Sequence, residues 1–305
     1  MNAVTEKLLE MISAPLSAMK GAFNIREDSG CAGRQSSQNI RIEGKIDNPG
    51  IDIHIAPGTR GETVYIPACV TKGNVADAAY NDFFVGEGAD VVITAGCGVH
   101  TDDEGTAQHD GIHRFFVGKN ARVLYLEKHI GVGEGAGKRI INPTTEIDIA
   151  EGGYLEMDTT QIKGIDSTVR VTKGVVRENG RLIIREKIMT HGRQVAETDF
   201  TVALDGDGAG TDLISRSVAR EDSQQVFRMR IDGNARCNGH SACDAIIMDR
   251  GIVSAIPELV ARNVDAALIH EAAIGKIAGE QLIKLMTLGL TEEEAEARII
   301  AGFLS

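Results

Sequence analysis

The spacing of apolar residues along this chain changes twice. Between Val4 and Ala22 they recur every three or four positions (Val4, Leu8, Met11, Ile12, Leu16, Met19). That is the period of an amphipathic helix, and Pro15 is placed to end or kink it. Ser29 to Asn39 is polar and rich in Gly, Ser and Gln, and reads as a linker or an ordered loop. From about Ile40 the period becomes two, as in Ile51–Ile55 and Val123–Leu126, which predicts strands. The helical period returns at the end. Gly279 to Leu288 sets Leu282, Leu285 and Met286 on one face, and Gly289 suits the residue after a helix. Thr291 with Glu294 then forms a capping box for a second helix presenting Ala295, Ile299 and Phe303. The expected organisation is a helical segment and linker over 1–39, a β body over 40–272 and a helical hairpin over 273–305.

The β body repeats. Pairs of small or turn-forming residues precede short β runs at Gly88-Ala89, Asn120-Ala121, Gly152-Gly153, Asn179-Gly180, Gly208-Ala209, Asn234-Ala235 and Asn263-Val264. By subtraction, the second members lie 32, 32, 27, 29, 26 and 29 residues apart, and Gly61-Glu62 forms an earlier copy. Such spacing points to a stacked array. A unit this short is one coil of a parallel β-helix with two or three short strands, turned by Gly or Asn. The competing architecture is an antiparallel β-sandwich with regular hairpins. On the β-helix reading, the terminal hairpin either caps the stack or docks another protein.

Composition narrows the function classes. Among 305 residues, 44 are acidic and 32 basic, a net charge of −12, which disfavours nucleic acid as a partner. No run approaches the length of a membrane span, and Glu6 and Glu10 interrupt the apolar start, so neither a membrane partner nor a signal peptide is expected. The expected location is the cytoplasm. Five cysteines, an odd number without Cys-x-x-Cys spacing, read as reduced thiols: Cys31, Cys69, Cys97, Cys237 and Cys243.

Four segments carry candidate chemistry. Gly131–Lys138 looks like a phosphate loop, but Val132 stands where the first Gly belongs and Arg139 follows the Lys. It reads as a turn, and no intrinsic nucleotide site is expected. In Arg236–Asp244, Cys237, His240 and Cys243 recur at three-residue spacing beside Asp244, donors suited to iron or zinc. The alternative is two small buried thiols. Cys97, His100, His109 and His113 surround the acidic run Asp102–Glu104. That run is either a solvated turn or the carboxylate site of a sugar-cleaving β-helix enzyme. A total of 12 Phe and Tyr with no Trp disfavours sugar binding. His270 and Glu271 close the last β run before the terminal helices.

An ordered string of motifs resembles the C-terminal signature of the SufB/SufD family of the SUF iron–sulfur cluster assembly machinery. It comprises Cys243-Asp-Ala-Ile-Ile-Met, Ile269-His-Glu-Ala-Ala-Ile-Gly-Lys-Ile277, Glu280-Gln-Leu282, Gly289-Leu-Thr-Glu-Glu-Glu-Ala295 and Gly302-Phe-Leu304. Weaker similarity covers Ala95-Gly-Cys97 and the stretch from His109 through Lys119 to Tyr125. The resemblance implies a right-handed parallel β-helix, a scaffold rather than an enzyme, and docking of SufC, an ABC-type ATPase, on the terminal helices through Leu282, Leu285, Met286, Ile299 and Phe303. It implies that Cys243 holds a labile iron–sulfur cluster, expected as [4Fe–4S], with Cys237, His240, His270 and Glu271 as further candidates. Cys243, Cys237 and Glu271 are the expected metal ligands. Cys97 and His109 fall on the implied sulfur route. Glu271 matches a SufB position that SufD lacks, so the chain resembles a short SufB. It lacks the multi-cysteine N-terminal motif of longer relatives, which leaves sulfurtransferase contacts and flavin binding without support. One SufB-like chain implies a homodimer that serves apo iron–sulfur recipients. The rival within the family is a SufD-like adaptor that binds the ATPase but no cluster.

Overall fold

A computed structural model describes residues 1–305. Two strands, joined by turns, make each coil, and strands of 58% of the chain stack into a β-solenoid of about eight turns. In chain order the strands are β1 (Ala22–Glu27), β2 (Gly30–Gln35), β3 (Ile40–Gly44), β4 (Gly50–Ile55), β5 (Arg60–Val70), β6 (Val75–Val85), β7 (Asp90–His100), β8 (Ala107–Val117), β9 (Arg122–Val132), β10 (Arg139–Ile141), β11 (Thr144–Ile149), β12 (Tyr154–Lys163), β13 (Ser167–Val176), β14 (Arg181–Thr190), β15 (Val195–Leu204), β16 (Gly210–Ala219), β17 (Gln224–Gly233), β18 (Asn238–Ile247), β19 (Ile252–Ala261) and β20 (Ala267–Gly275). One sheet runs β2-β1-β5-β7-β9-β12-β14-β16-β18-β20, and the other runs from β3 to β19. All pairings are parallel except the starting pairs β1–β2 and β3–β4. Within the sheets, inward side chains of the two walls meet in one continuous apolar cluster from Ala22 to Cys243.

The turn residues explain the repeat. Gly88, Asn120, Gly152, Asn179 and Gly208 all take positive φ, from 53° to 74°. Gly and Asn adopt this conformation at least cost. Each donates its N–H to the next coil: Gly88 to Lys119 O (2.9 Å), Asn120 to Glu151 O (3.0 Å), Gly152 to Glu178 O (2.8 Å). The small residue that follows is buried in the corner. The expected register slips at three copies. Ala267 N bonds to Cys237 O and Asn238 N to Ala209 O, so the sixth and seventh pairs are Arg236-Cys237 and Asp265-Ala266, two residues beyond the expected ones. The earliest is Gly58-Thr59, because Gly61 sits at a register shift in β5. Cys237 therefore fills the corner that Ala, Gly or, in the first copy, Thr59 fills elsewhere.

Three other expectations change. The first helix, α1 (Ala3–Ile12), is shorter than its apolar period, ending before Pro15. Asn2 caps it through Thr5 N (2.9 Å). It lies flat on the side-chain-free strip of Gly96 and Gly98 in β7, burying Leu8, Leu9 and Ile12. Each such burial stabilises by about 1.5–3 kcal/mol. The sheets begin at Ala22, and Gly30–Gln35 within the expected linker is strand β2, paired backbone to backbone with β1. Polar composition hid it because its side chains are mostly exposed. At the other end, β20 continues to Gly275 before α2 (Gly279–Thr287) and α3 (Glu292–Phe303). The capping box at Thr291 and Glu294 is present. These helices do not cap the stack. Outward and inward positions of β19 and β20 remain exposed, including Ile252, Ile256, Ile269 and Ile274.

No helix is long and apolar enough to cross a membrane.

Candidate functional site

Strand alternation decides which side of the wall each candidate occupies. On β18, Gly239, Ser241, Cys243 and Ala245 are buried, while His240 and Asp244 are only half-buried. On β20, in-register pairing sets His270 beside Ser241 and Ala272 beside Cys243. Ser241 Oγ and His270 Nδ1 are 2.7 Å apart. Cys243 and His270 are thus diagonal neighbours on the inner wall, about 7–8 Å apart by sheet geometry. The buried Nε2 of His270 has no hydrogen-bond partner.

The other candidates lie elsewhere. Cys237 shares the inner phase with Cys243 but sits six residues earlier, about 20 Å along an extended strand. His240 and Glu271 stand on the outer face, His240 Nδ1 2.7 Å from Asp212 Oδ1 and His240 Nε2 3.8 Å from Glu271 Oε2. Within one chain, then, the five expected cluster residues do not converge, and no three His, Cys, Asp or Glu side chains meet to hold a metal ion. Two-residue periodicity is the reason: neighbours in sequence face opposite ways.

Burial, then the charges of Glu186 and Asp244, push the Cys243 thiol up to about 12. Burial raises Cys237 as well. Burial lowers His270, as does His240 across the wall, so its imidazole is neutral near pH 7. Any metal ion taken up by Cys243 would have to displace a proton that the thiol otherwise retains.

Behind Cys243 runs a polar row that the sequence reading missed. Glu127, Thr159, Glu186, Ser215 and Cys243 are successive in-register partners on β9, β12, β14, β16 and β18. Arg170, from the facing sheet, bridges the two acids: Nη1 donates to Glu127 at 2.8 Å and Nε lies 3.1 Å from Glu186. All three are nearly sealed from solvent. Tyr125 OH and Ser215 Oγ donate to Glu127 and Glu186. Burial alone raises a carboxyl, but His129 and Arg170 hold Glu127 well below its usual value. For Glu186 burial wins, and its carboxyl is raised. The signal was present in the sequence. Extending the alternation of Val123 and Tyr125 by two and four places puts Glu127 and His129 at inward positions.

The sulfur-route candidates flank this row. Cys97 pairs with His129 across β7 and β9 and is buried. Burial first, then Glu127, raises its thiol well above the ordinary range. His109 Nδ1 contacts Asp77 Oδ2 at 3.0 Å, and Arg26 donates to the same carboxylate. His109 and His113 share the inner face of β8, and burial depresses His113 to about 4. Asp103 is spent within its own turn, accepting from Gly105 N (2.6 Å) and Thr101 Oγ (3.0 Å). The glycine loop 131–138 lies on the backbone of the preceding coil. A Cβ at Gly133, Gly135 or Gly137 would come within 2.0–2.3 Å of a carbonyl oxygen there. Its glycines serve close approach between coils.

On the terminal hairpin, Leu282, Leu285, Ile299 and Phe303 are half-buried and Met286 is 42% exposed. Ala295 and Ile300, rather than Ile299, are the fully buried residues of α3. The open apolar face is Ile283, Met286 and Leu288.

Fold and site together define a parallel β-solenoid whose chemistry lies on the inner wall, in thiols, imidazoles and a buried ion network, with an uncovered final coil. Residues 69–303 match the family model described as SUF system FeS cluster assembly, SufBD core domain. The chain belongs to that family. Among the relatives, an iron-sulfur cluster assembly SufBD family protein of Methanothermobacter thermautotrophicus is 30% identical over 263 residues, 84% of this chain and 62% of the relative. One from Archaeoglobus fulgidus is 30% identical over 274 residues, covering 89% and 72%. One from Methanocaldococcus jannaschii is 27% identical over 316 residues, covering 99% of both chains. This chain thus spans less than two thirds of the Methanothermobacter relative and all but the whole of the Methanocaldococcus one.

Proposed function

We propose that this chain is a scaffold on which an iron–sulfur cluster is built between two copies and then handed to recipient proteins. The observation that carries this reading is the diagonal proximity of Cys243 and His270 on the inner wall at the uncovered end of the stack. There the imidazole Nε2 is buried without a partner. One thiol and one imidazole are half of a four-ligand set, and a second copy across the bare edge of β20 supplies the other half. The exposed isoleucines of β19 and β20 favour such pairing, since an open strand edge is a template for association. The cluster is cargo. A thiolate ligand holds iron, while a neutral imidazole exchanges more readily, which suits release.

On this reading sulfur passes along the inner row. Cys97 and Cys243 stand five strand spacings apart, about 24 Å, on either side of the polar groups of Glu127, Thr159, Glu186 and Ser215. Cys97 is the receiving end on this reading. The terminal hairpin is the docking surface for a SufC-like ATPase, whose nucleotide cycle shifts the chain between two arrangements through differential contacts.

Anaerobic reconstitution with iron and sulfide tests the scaffold reading. Wild-type protein is expected to gain cluster absorption and bound iron, and Cys243→Ala to lose both. Equal cluster content in the two sinks the assignment. With a persulfide donor in place of free sulfide, Cys97→Ser is expected to lose cluster while retaining it with free sulfide. Removal of 279–305 is expected to abolish co-purification of the ATPase.

A further inference from the structure

At the end of the stack remote from Cys243, the outer face of the second sheet carries an aromatic row that the inner-wall chemistry does not use. His54, Phe84 and Phe116 are in-register partners on β4, β6 and β8. Their rings stack with centroids 4.8 and 5.1 Å apart and planes within 9° of parallel. The chain has only eight Phe and no Trp, and its core takes Phe83 and Phe115 from the same strands. Phe116 nevertheless stays 40% exposed. Rings stacked on one another present their edges outward, and ring edges carry partial positive charge that attracts the face of another aromatic system.

The row is one wall of a groove of about 770 Å³, within the range of small-molecule sites. Ala56, Gly86, Gly118 and Ala150, each two positions past the row in its coil, line the groove beside the rings. The two ends differ in charge. Arg41 is the in-register neighbour of His54; its side chain is 63% exposed and meets only the exposed Glu43, at 3.3 Å. Such a pair holds a guanidinium weakly. Asp148, next in register after Phe116, is matched by Arg177 through hydrogen bonds of 3.0 and 2.9 Å. One end thus offers an available cation and the other a neutralised pair.

We propose that this groove binds a flat aromatic anion, with its ring face against the edges of His54, Phe84 and Phe116 and its negative group on Arg41. The three rings span two strand spacings, about 10 Å, which accommodates two fused six-membered rings. A flexible apolar body would meet the same edges without the electrostatic gain. The site goes beyond the scaffold reading and shares no residue with it. The competing account is a row of rings that only braces neighbouring coils, as cross-strand aromatic pairs do.

Fluorescence anisotropy of 2-naphthalenesulfonate with the full-length protein at pH 7.5 separates these accounts. Decanesulfonate, with the charge but no flat ring, and naphthalene, with the ring but no charge, serve as competitors. One saturable site per chain is expected, displaced poorly by decanesulfonate. Phe84→Leu with Phe116→Leu keeps the wall apolar but removes the ring edges, and is expected to weaken binding about tenfold or more. Arg41→Gln, at an exposed position, is expected to weaken sulfonate binding about tenfold, the worth of one charge-assisted hydrogen bond, with naphthalene affinity and thermal unfolding unchanged. Unaltered binding in the double leucine variant, displacement by decanesulfonate as effective as by the naphthalene compound itself, or no saturation below about 1 mM overturns the proposal. Cys243→Ala is expected to bind 2-naphthalenesulfonate as wild type does, so this result and cluster reconstitution stand or fall separately.

Discussion

Arg170→Leu removes the guanidinium that stands between Glu127 and Glu186 in the sealed interior. Arg170 is 5% exposed and the two carboxylates 2% and 1%, so water cannot replace the lost charge. Stripping one partner from a buried ion pair costs about 3–5 kcal/mol. With an unfolding entropy of about 2.1 cal/mol/K per residue, a chain of 305 residues changes by about 0.64 kcal/mol per degree, so Tm is expected to fall by about 5–8 °C. The deficit depends on pH. In wild type, Glu127 is depressed in the folded state, so its stabilisation is present above the unfolded value of about 4.3 and is lost as pH falls through the folded one. Without Arg170 the carboxyl of Glu186, already raised by burial, rises further, and Glu127 loses one of its two main lowering partners and keeps His129. The two carboxyls then destabilise the fold most at high pH and are relieved as the pH falls and they take up protons. The gap between variant and wild type is therefore largest at pH 8 and narrows toward pH 5. Thermal unfolding by circular dichroism at both pH values measures it, with Glu127→Gln/Arg170→Leu expected to recover part of the loss at pH 8. A variant within 1 °C of wild type at pH 8, or an equal deficit at pH 5, would refute the electrostatic argument.

Other consequences are checked more simply. His113 is depressed to about 4 from 6.5, so the unfolded chain takes up a proton that the folded one refuses. At about 1.4 kcal/mol per unit, this group alone removes roughly 3 kcal/mol between pH 6.5 and 4, and His113→Phe is expected to flatten that part of the acid unfolding curve. Cys31 is the one exposed cysteine, so a thiol reagent is expected to label one residue per native chain at pH 8 and five after denaturation. Gly137→Ala drives a Cβ to 2.0 Å from Gly105 O, and is expected to cost about 1–3 kcal/mol in urea unfolding. Ile256→Asp with Ile269→Asp charges the open coil, and light scattering is expected to show a monomer, against the dimer that the scaffold reading expects of wild type.

Much of the architecture was legible along the chain because its causes are local. Turns that need positive φ select Gly and Asn at each coil, so the repeat could be counted before any fold was known. Capping chemistry at Thr291 and Glu294 is confined to four residues and appears as read. The misreadings also have local causes. Asn234-Ala235 and Asn263-Val264 look like turn pairs, but hydrogen bonding between coils selects Arg236-Cys237 and Asp265-Ala266. Strand β2 was hidden because an edge strand with solvated side chains has no apolar face to betray it.

The sequence by itself determined the coil length, five of the corner pairs and the order of the family motifs, all properties of short stretches of backbone. Only the tertiary structure decided which candidates share a wall. Cys243 joined His270 because β18 and β20 pair in register, and His240 joined Asp212 because β16 lies alongside, contacts between residues 28 and 29 positions or so apart. The pairing of Glu127, Arg170 and Glu186 likewise depended on two facing sheets coming within reach. Alternation assigns each residue a side, but stacking alone sets its neighbours.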